Sequence, residues 1–233
     1  MATSAVDLRP ASERVFATPE LFEYILSWLL TDTHPIGYGE DPRSFPTYDN
    51  CALLLHLLRC SEVNQVWYQC MKGSKHLQRN LFLHPEQRPG RIWGLVTPSD
   101  GSDGAPILNP IIQTIFATYH FRYWHLSLEA SGNKYCAYLI ITRRDLPNIT
   151  SRLKSGQGRT ISRMLLSQPP CTALEATIWE EKDETKDYVG RTATLKNPRI
   201  VCEDGLTLGI VHERVQQMLS EHPDVAAIKL TTV

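Results

Sequence analysis

The segment that most constrains the fold lies near the start of the chain. Val15-Phe16-Ala17-Thr18-Pro19-Glu20-Leu21-Phe22-Glu23-Tyr24-Ile25-Leu26-Ser27-Trp28-Leu29 reads as a helix that opens abruptly and carries one wide apolar stripe. Thr18 suits the cap of the first turn, and Pro19 the first helical position, where no amide donor is needed. Glu20 sits at the positive end of the helix dipole. Leu21, Phe22, Ile25, Leu26 and Leu29 recur at helical spacing. A second apolar run, 52–58, is broken only by His56. A third has Ser61 as its cap, then Val63, Val66, Trp67, Cys70 and Met71 on one face, with Gly73 as its stop. Units below about 40 residues usually need a staple, a metal or a partner to stay folded. These helices have no metal or disulfide spacing, so their apolar faces are expected to pack on the rest of the chain or on another protein.

Charge and cysteine usage narrow the class. The net charge of −1 over 233 residues gives no general attraction to nucleic acid or to an anionic membrane surface. Apolar runs such as 51–55 are far too short to cross a bilayer, and 1–10 has no apolar core of a secretory signal. Cys51, Cys60, Cys70, Cys136, Cys171 and Cys202 show neither the paired spacing of a zinc site nor the density of a secreted scaffold. The first three fall on or beside apolar helical faces, where a thiol acts as a small hydrophobe. Reduced thiols in the cytoplasm or nucleus are the expectation. Asn148-Ile149-Thr150 fits a glycosylation sequon, which needs a secretory route to be used.

Beyond residue 84 the composition changes. The stretch 85–106, rich in Pro and Gly, reads as a loop or linker around the island Ile92-Trp93-Gly94-Leu95-Val96. Asn109-Pro110 opens a short helix over 111–119. Residues 123–130 alternate as a strand, Gly132-Asn133 turns the chain, and 135–142 reads as the antiparallel partner. Met164 to Leu166 is expected to complete a helix stopped by Pro169-Pro170. Strands follow at 172–180 and 188–195 across the charged loop 181–187, then an amphipathic helix over 207–221 and a last strand over 226–233. No regular strand–helix–strand rhythm runs through this half, so the expected class is α+β, with helices first and a mixed α+β region after, rather than a doubly wound nucleotide fold.

Known catalytic patterns are missing: no nucleophile elbow, no paired-histidine zinc motif, no P-loop and no dinucleotide-binding glycine run. Gly156-Gln157-Gly158 lacks the Lys-Ser or Lys-Thr that would complete a phosphate loop. His120 and His125 lack a nearby Cys or carboxylate and read as strand-edge side chains. His212, with Glu213, is assigned to the exposed side of the last helix. Trp93, Trp124 and Trp179 have no basic interleaving and read as core or rim residues. Arg143, Arg144, Arg152, Lys154, Arg159 and Arg163 admit two readings, an anion or phospho-degron pocket and a solvated helix face. The expectation is a protein without catalysis, cofactor or metal, and without nucleic acid or membrane among its partners.

Phe16, Pro19, Glu20, Leu21, Ile25, Leu26 and Leu29, followed by Val63 and Trp67, resemble an F-box, the helical module that docks a substrate receptor onto the Skp-family adaptor of a cullin–RING ubiquitin ligase. Leu81-Phe82-Leu83, Leu108-Asn109-Pro110, 163–170 and Gly205-Leu206-Thr207-Leu208-Gly209 extend the resemblance to fungal F-box proteins with an uncharacterised C-terminal half. It implies a flexible tail over 1–14, a three-helix module over 15–84, a loop or linker over 85–106, and an α+β substrate-binding domain over 107–233. Adaptor contact is implied for Pro19, Leu21, Phe22, Ile25, Leu26, Leu29, Val63 and Trp67. The chain would be a substrate receptor of an SCF-type ligase, linked through the adaptor to a cullin, with an unidentified protein substrate. The family joins its first two helices by a short turn, whereas here an insert over 31–49 intervenes. Two alternatives stay open: an F-box-derived interaction protein that no longer engages the ligase, and an enzyme with an unrecognised site.

Overall fold

A computed structural model of the chain describes residues 10, 18–31, 48–60, 62, 65–85, 107–116, 129–131, 134–136, 138–179, 195 and 198–233. Eight helices are described: α1 Pro19–Thr31, α2 Tyr48–Cys60, α3 Gln65–Gly73, α4 Lys75–Asn80, α5 Ile111–Phe116, α6 Leu146–Lys154, α7 Gly158–Ser162 and α8 Leu208–Glu221. The strands are β1 Ile107–Leu108, β2 Glu129–Ser131, β3 Lys134–Cys136, β4 Tyr138–Thr142, β5 Ser167–Gln168, β6 Ala173–Trp179, β7 Arg199–Val201 and β8 Ala227–Thr232. The fold is α+β, and no described helix is long and apolar enough to cross a membrane.

The main sheet is antiparallel with order β4-β8-β6-β7, so the strand nearest the C-terminus lies inside it. Its register places Leu139, Ile141, Ile228, Leu230, Leu174, Ala176, Ile178 and Ile200 on one face, all buried. The opposite face carries exposed Glu175, Arg199 and Val201, with Lys229 held over the Tyr138 ring at 4.5 Å. This is the period-two division of a sheet with one face packed on a core. α8 packs against β8 and buries Leu208, Val211, Val215, Met218 and Leu219. Thr207 caps it, its hydroxyl accepting from the Ile210 amide at 3.3 Å, and His222 closes it.

The expected strand 172–180 is found as β6, between β8 and β7; of the expected strand 188–195 only Leu195 is described, buried and outside any strand. The expected hairpin partner over 135–142 is divided. β3 pairs β2, whereas β4 pairs β8, because Leu139 and Ile141 fit the inner face of the main sheet. The stretch 117–128 and the linker beyond Pro85 lie outside the described residues. Met164 to Leu166 is not helical: α7 ends at Ser162, and the chain bends on through the interior, with Leu165 bridged to Thr207. Leu165 N donates to Phe82 O at 2.7 Å, Asn109 N to Leu166 O at 2.8 Å, and Leu166 N to Leu206 O at 3.0 Å. An all-apolar tripeptide has no period that separates a buried helix from a buried non-helical segment, and backbone partners on three sides decide it here. One core cluster includes Phe22 of α1, Leu57 of α2, Met164 and Leu230 of β8.

A candidate docking face on the helical end

The helical end is built around Phe22 and Leu26, each almost wholly buried. The α1 turn begins with Phe22 N donating to Thr18 O at 3.1 Å, which turns Phe22 inward onto Trp67 with ring centroids 4.5 Å apart. Ser74, buried between α3 and α4, accepts from Leu77 N at 3.1 Å and donates to the Glu23 carboxylate. One side chain therefore caps α4 and fixes a carboxylate of α1. Gln78 Nε2 donates to Met71 O at 2.7 Å and closes the α3–α4 corner.

With Phe22 and Leu26 inside, helical geometry turns their neighbours out. Leu21 is 48% exposed, Tyr24 62% and Ile25 42%. On α3, Val66 and Tyr68 are exposed, with Lys72 over the Tyr68 ring at 5.8 Å. Scattered apolar side chains are ordinary on any surface, but Leu21, Tyr24 and Ile25 adjoin one another along one helix. Between α1 and α3 lies a cleft of about 570 Å³ lined by Glu20, Glu23, Gln65, Val66, Gln69 and Cys70, among others. Burial first, then Glu23 and Glu20, push the Cys70 thiol above its ordinary value of 9.0.

The eight residues singled out for docking are therefore divided. Leu21 and Ile25 face solvent, Phe22 and Leu26 belong to the core, and Trp67 is half-buried against Phe22. Pro19 and Leu29 lie on α1, and nothing further is described of their side chains; Val63 is outside the described residues. Tyr24, Val66 and Tyr68 were not singled out, although Tyr24 stands one helical turn from Leu21.

Elsewhere the candidate chemistry becomes structural. Arg143, half-buried, donates to Leu219 O at 2.5 Å, His222 O at 2.7 Å and Val225 O at 3.1 Å, which ties it to the end of α8 and not to an anion. Arg152 donates to Thr114 O. Gly158 serves packing: a Cβ there would meet Arg152 O at 2.2 Å, so the α6–α7 corner needs glycine. His212, expected on the exposed side of α8, is buried and meets Thr150 Oγ1 at 2.8 Å. Burial lowers its pKa below the ordinary 6.5. His212 follows Leu208 by four residues and precedes Val215 by three, so the helical period marks it as inward. His120 and His125 are outside the described residues, among which no group of three or more His, Cys, Asp or Glu side chains is placed to hold a metal ion. Comparison with protein-family models, with curated proteins and with solved structures gave no match.

Proposed function

We propose that the chain is the substrate-receptor subunit of an SCF-type ubiquitin ligase. A three-helix N-terminal module would dock on a Skp-family adaptor, and the mixed α+β remainder would hold a protein substrate. The observation that carries this reading is the outward apolar face of α1, Leu21, Tyr24 and Ile25, beside a motif order that resembles an F-box. Helix-on-helix association needs such a face. Because Phe22 and Leu26 serve the core, adaptor contact falls to Leu21 and Ile25 with Tyr24 beside them, and Pro19, Leu29 and Val63 follow from the resemblance alone. The receptor performs no chemistry: it raises the local concentration of substrate lysines at the transfer enzyme, in the cytoplasm or nucleus.

Co-expression with a purified Skp-family adaptor and gel filtration test the reading, with Leu21→Asp/Ile25→Asp as the comparison. Exposed positions of this kind change stability by about 0.5 kcal/mol each, so the variant folds and its unfolding midpoint moves little. A 1:1 complex is expected from the natural chain and none from the variant. Equal capture by both would remove this face from the interface.

A second reading, an F-box-derived interaction protein without a ligase, is favoured by one observation: two residues of the docking motif, Phe22 and Leu26, lie inside the chain's own core. Deleting 33–47 separates the two, since capture that appears only after deletion marks a blocked adaptor face.

A further inference from the structure

We infer that the cleft between α1 and α3 is a separate docking site, which takes a short apolar segment of another protein carrying a lysine or arginine. Neither Leu21 nor Ile25 lines it, whereas Phe22 does, and Glu20 stands one helical turn from Tyr24. The inference uses only the cleft's own residues and does not rest on the adaptor reading. At about 570 Å³ the cleft falls within the roughly 300–1,000 Å³ usual for ligand sites.

Charge selects the occupant. Glu20 and Glu23 supply two carboxylates, and among the described residues none that lines the cleft is cationic. Lys72, the basic residue of α3, is turned over the Tyr68 ring instead. The Glu23 carboxylate is held in place by Ser74, so an incoming cation meets an acceptor already oriented. Glu23 and Glu20 both raise the pKa of Cys70, so the negative field reaches the side chain that lines the cleft between them. A purely apolar occupant would strip water from two carboxylates without replacing it, whereas an ammonium or guanidinium group forms charge-assisted hydrogen bonds with them. Val66, about half exposed, gives an apolar neighbour its contact. The amides of Gln65 and Gln69 offer donors and acceptors to a peptide backbone. At Gly73 a side chain would meet nothing within 4 Å, so that side of the cleft is open to a passing chain.

The test uses the purified full chain with no adaptor present, so its failure and a failed adaptor capture are independent results. A random dodecapeptide library on phage is selected on the natural chain and counter-selected on Glu20→Gln/Glu23→Gln, after matching unfolding midpoints confirm that the variant folds. Peptides with Lys or Arg beside aliphatic or aromatic residues are expected, binding the variant about tenfold more weakly. In parallel, Cys70 is exchanged with cystamine, which leaves a cationic adduct, and with 3,3′-dithiodipropionate, which leaves an anionic one. In each exchange the thiolate sulfur forms a bond to one reagent sulfur, and the reagent S–S bond breaks to release its other half as thiolate. The cation-to-anion ratio on the Cys70 peptide should be about fivefold higher in the folded chain than in the guanidinium-unfolded chain, and should fall back in the variant. Selected peptides without basic enrichment, no peptide that prefers the natural chain, or an unchanged exchange ratio would each overturn the proposal.

Discussion

Phe82 stands in the left-handed region at φ 58, where glycine is the usual residue. It closes α4: Phe82 N donates to Arg79 O at 2.9 Å and Leu83 N to Gln78 O at 2.8 Å, the paired bonds of a Schellman ending. The conformation costs about 1–2 kcal/mol for an L side chain, and the buried phenyl more than offsets it. Phe82→Ala should destabilise by about 3–5 kcal/mol, because it loses the ring and keeps the strain. Phe82→Gly loses the same ring but escapes the strain, so it should be the more stable of the two by about 1 kcal/mol, the reverse of the usual helix ranking. Urea unfolding of both variants decides this. His212 gives a second residue-scale prediction. Its pKa is lowered in the fold, so below pH 6.5 the unfolded chain takes up a proton that the folded chain resists, and stability falls as pH drops through that value. Burial is the first cause; Glu213 opposes it and Lys154 adds to it. His212→Gln, which keeps a polar group opposite Thr150, should show a shallower loss of stability between pH 7.5 and 5.

At the scale of elements, Arg143 is the joint between β4 and α8. Its guanidinium donates to Leu219 O in the last turn of α8, where no intrahelical donor remains, to His222 O at the cap and to Val225 O just before β8. Arg143→Ala should cost about 2–3 kcal/mol in chemical denaturation. Arg143→Lys should recover less than half of that, since an ammonium keeps the charge but not the planar fork. Elements announced by their own residues were legible in the sequence: α1 through Thr18, Pro19 and its apolar stripe, and α8 through Thr207, the Leu208–Leu219 stripe and His222-Pro223. Elements decided by distant partners were not. Ala227–Thr232 reads as a short strand, but nothing local says that β4 and β6 will flank it. Met164-Leu165-Leu166 is apolar throughout and takes its non-helical form from bonds to Phe82, Asn109 and Leu206. The candidate site was legible in the same measure. The apolar stripe identified α1, but which of its residues turn outward was set by Trp67 and the core.

For the molecule as a whole, the segment after α7 joins the helical end to the sheet. Gln168 Nε2 donates to His84 O at 2.8 Å and Asn109 Nδ2 to Leu165 O at 2.9 Å, both from buried side chains. A core shared in this way couples the two ends, so unfolding followed by near-ultraviolet circular dichroism and by backbone signal should give coincident transitions. Separate midpoints would instead show two independently stable units. The inner position of β8 also bears on the order of synthesis. A ribosome releases β4 and β6 before it has made the strand that fits between them, at roughly 5–20 residues per second. For several seconds the nascent chain holds two apolar strands with no partner between them, which is the condition in which strands pair with the wrong neighbour or recruit a chaperone.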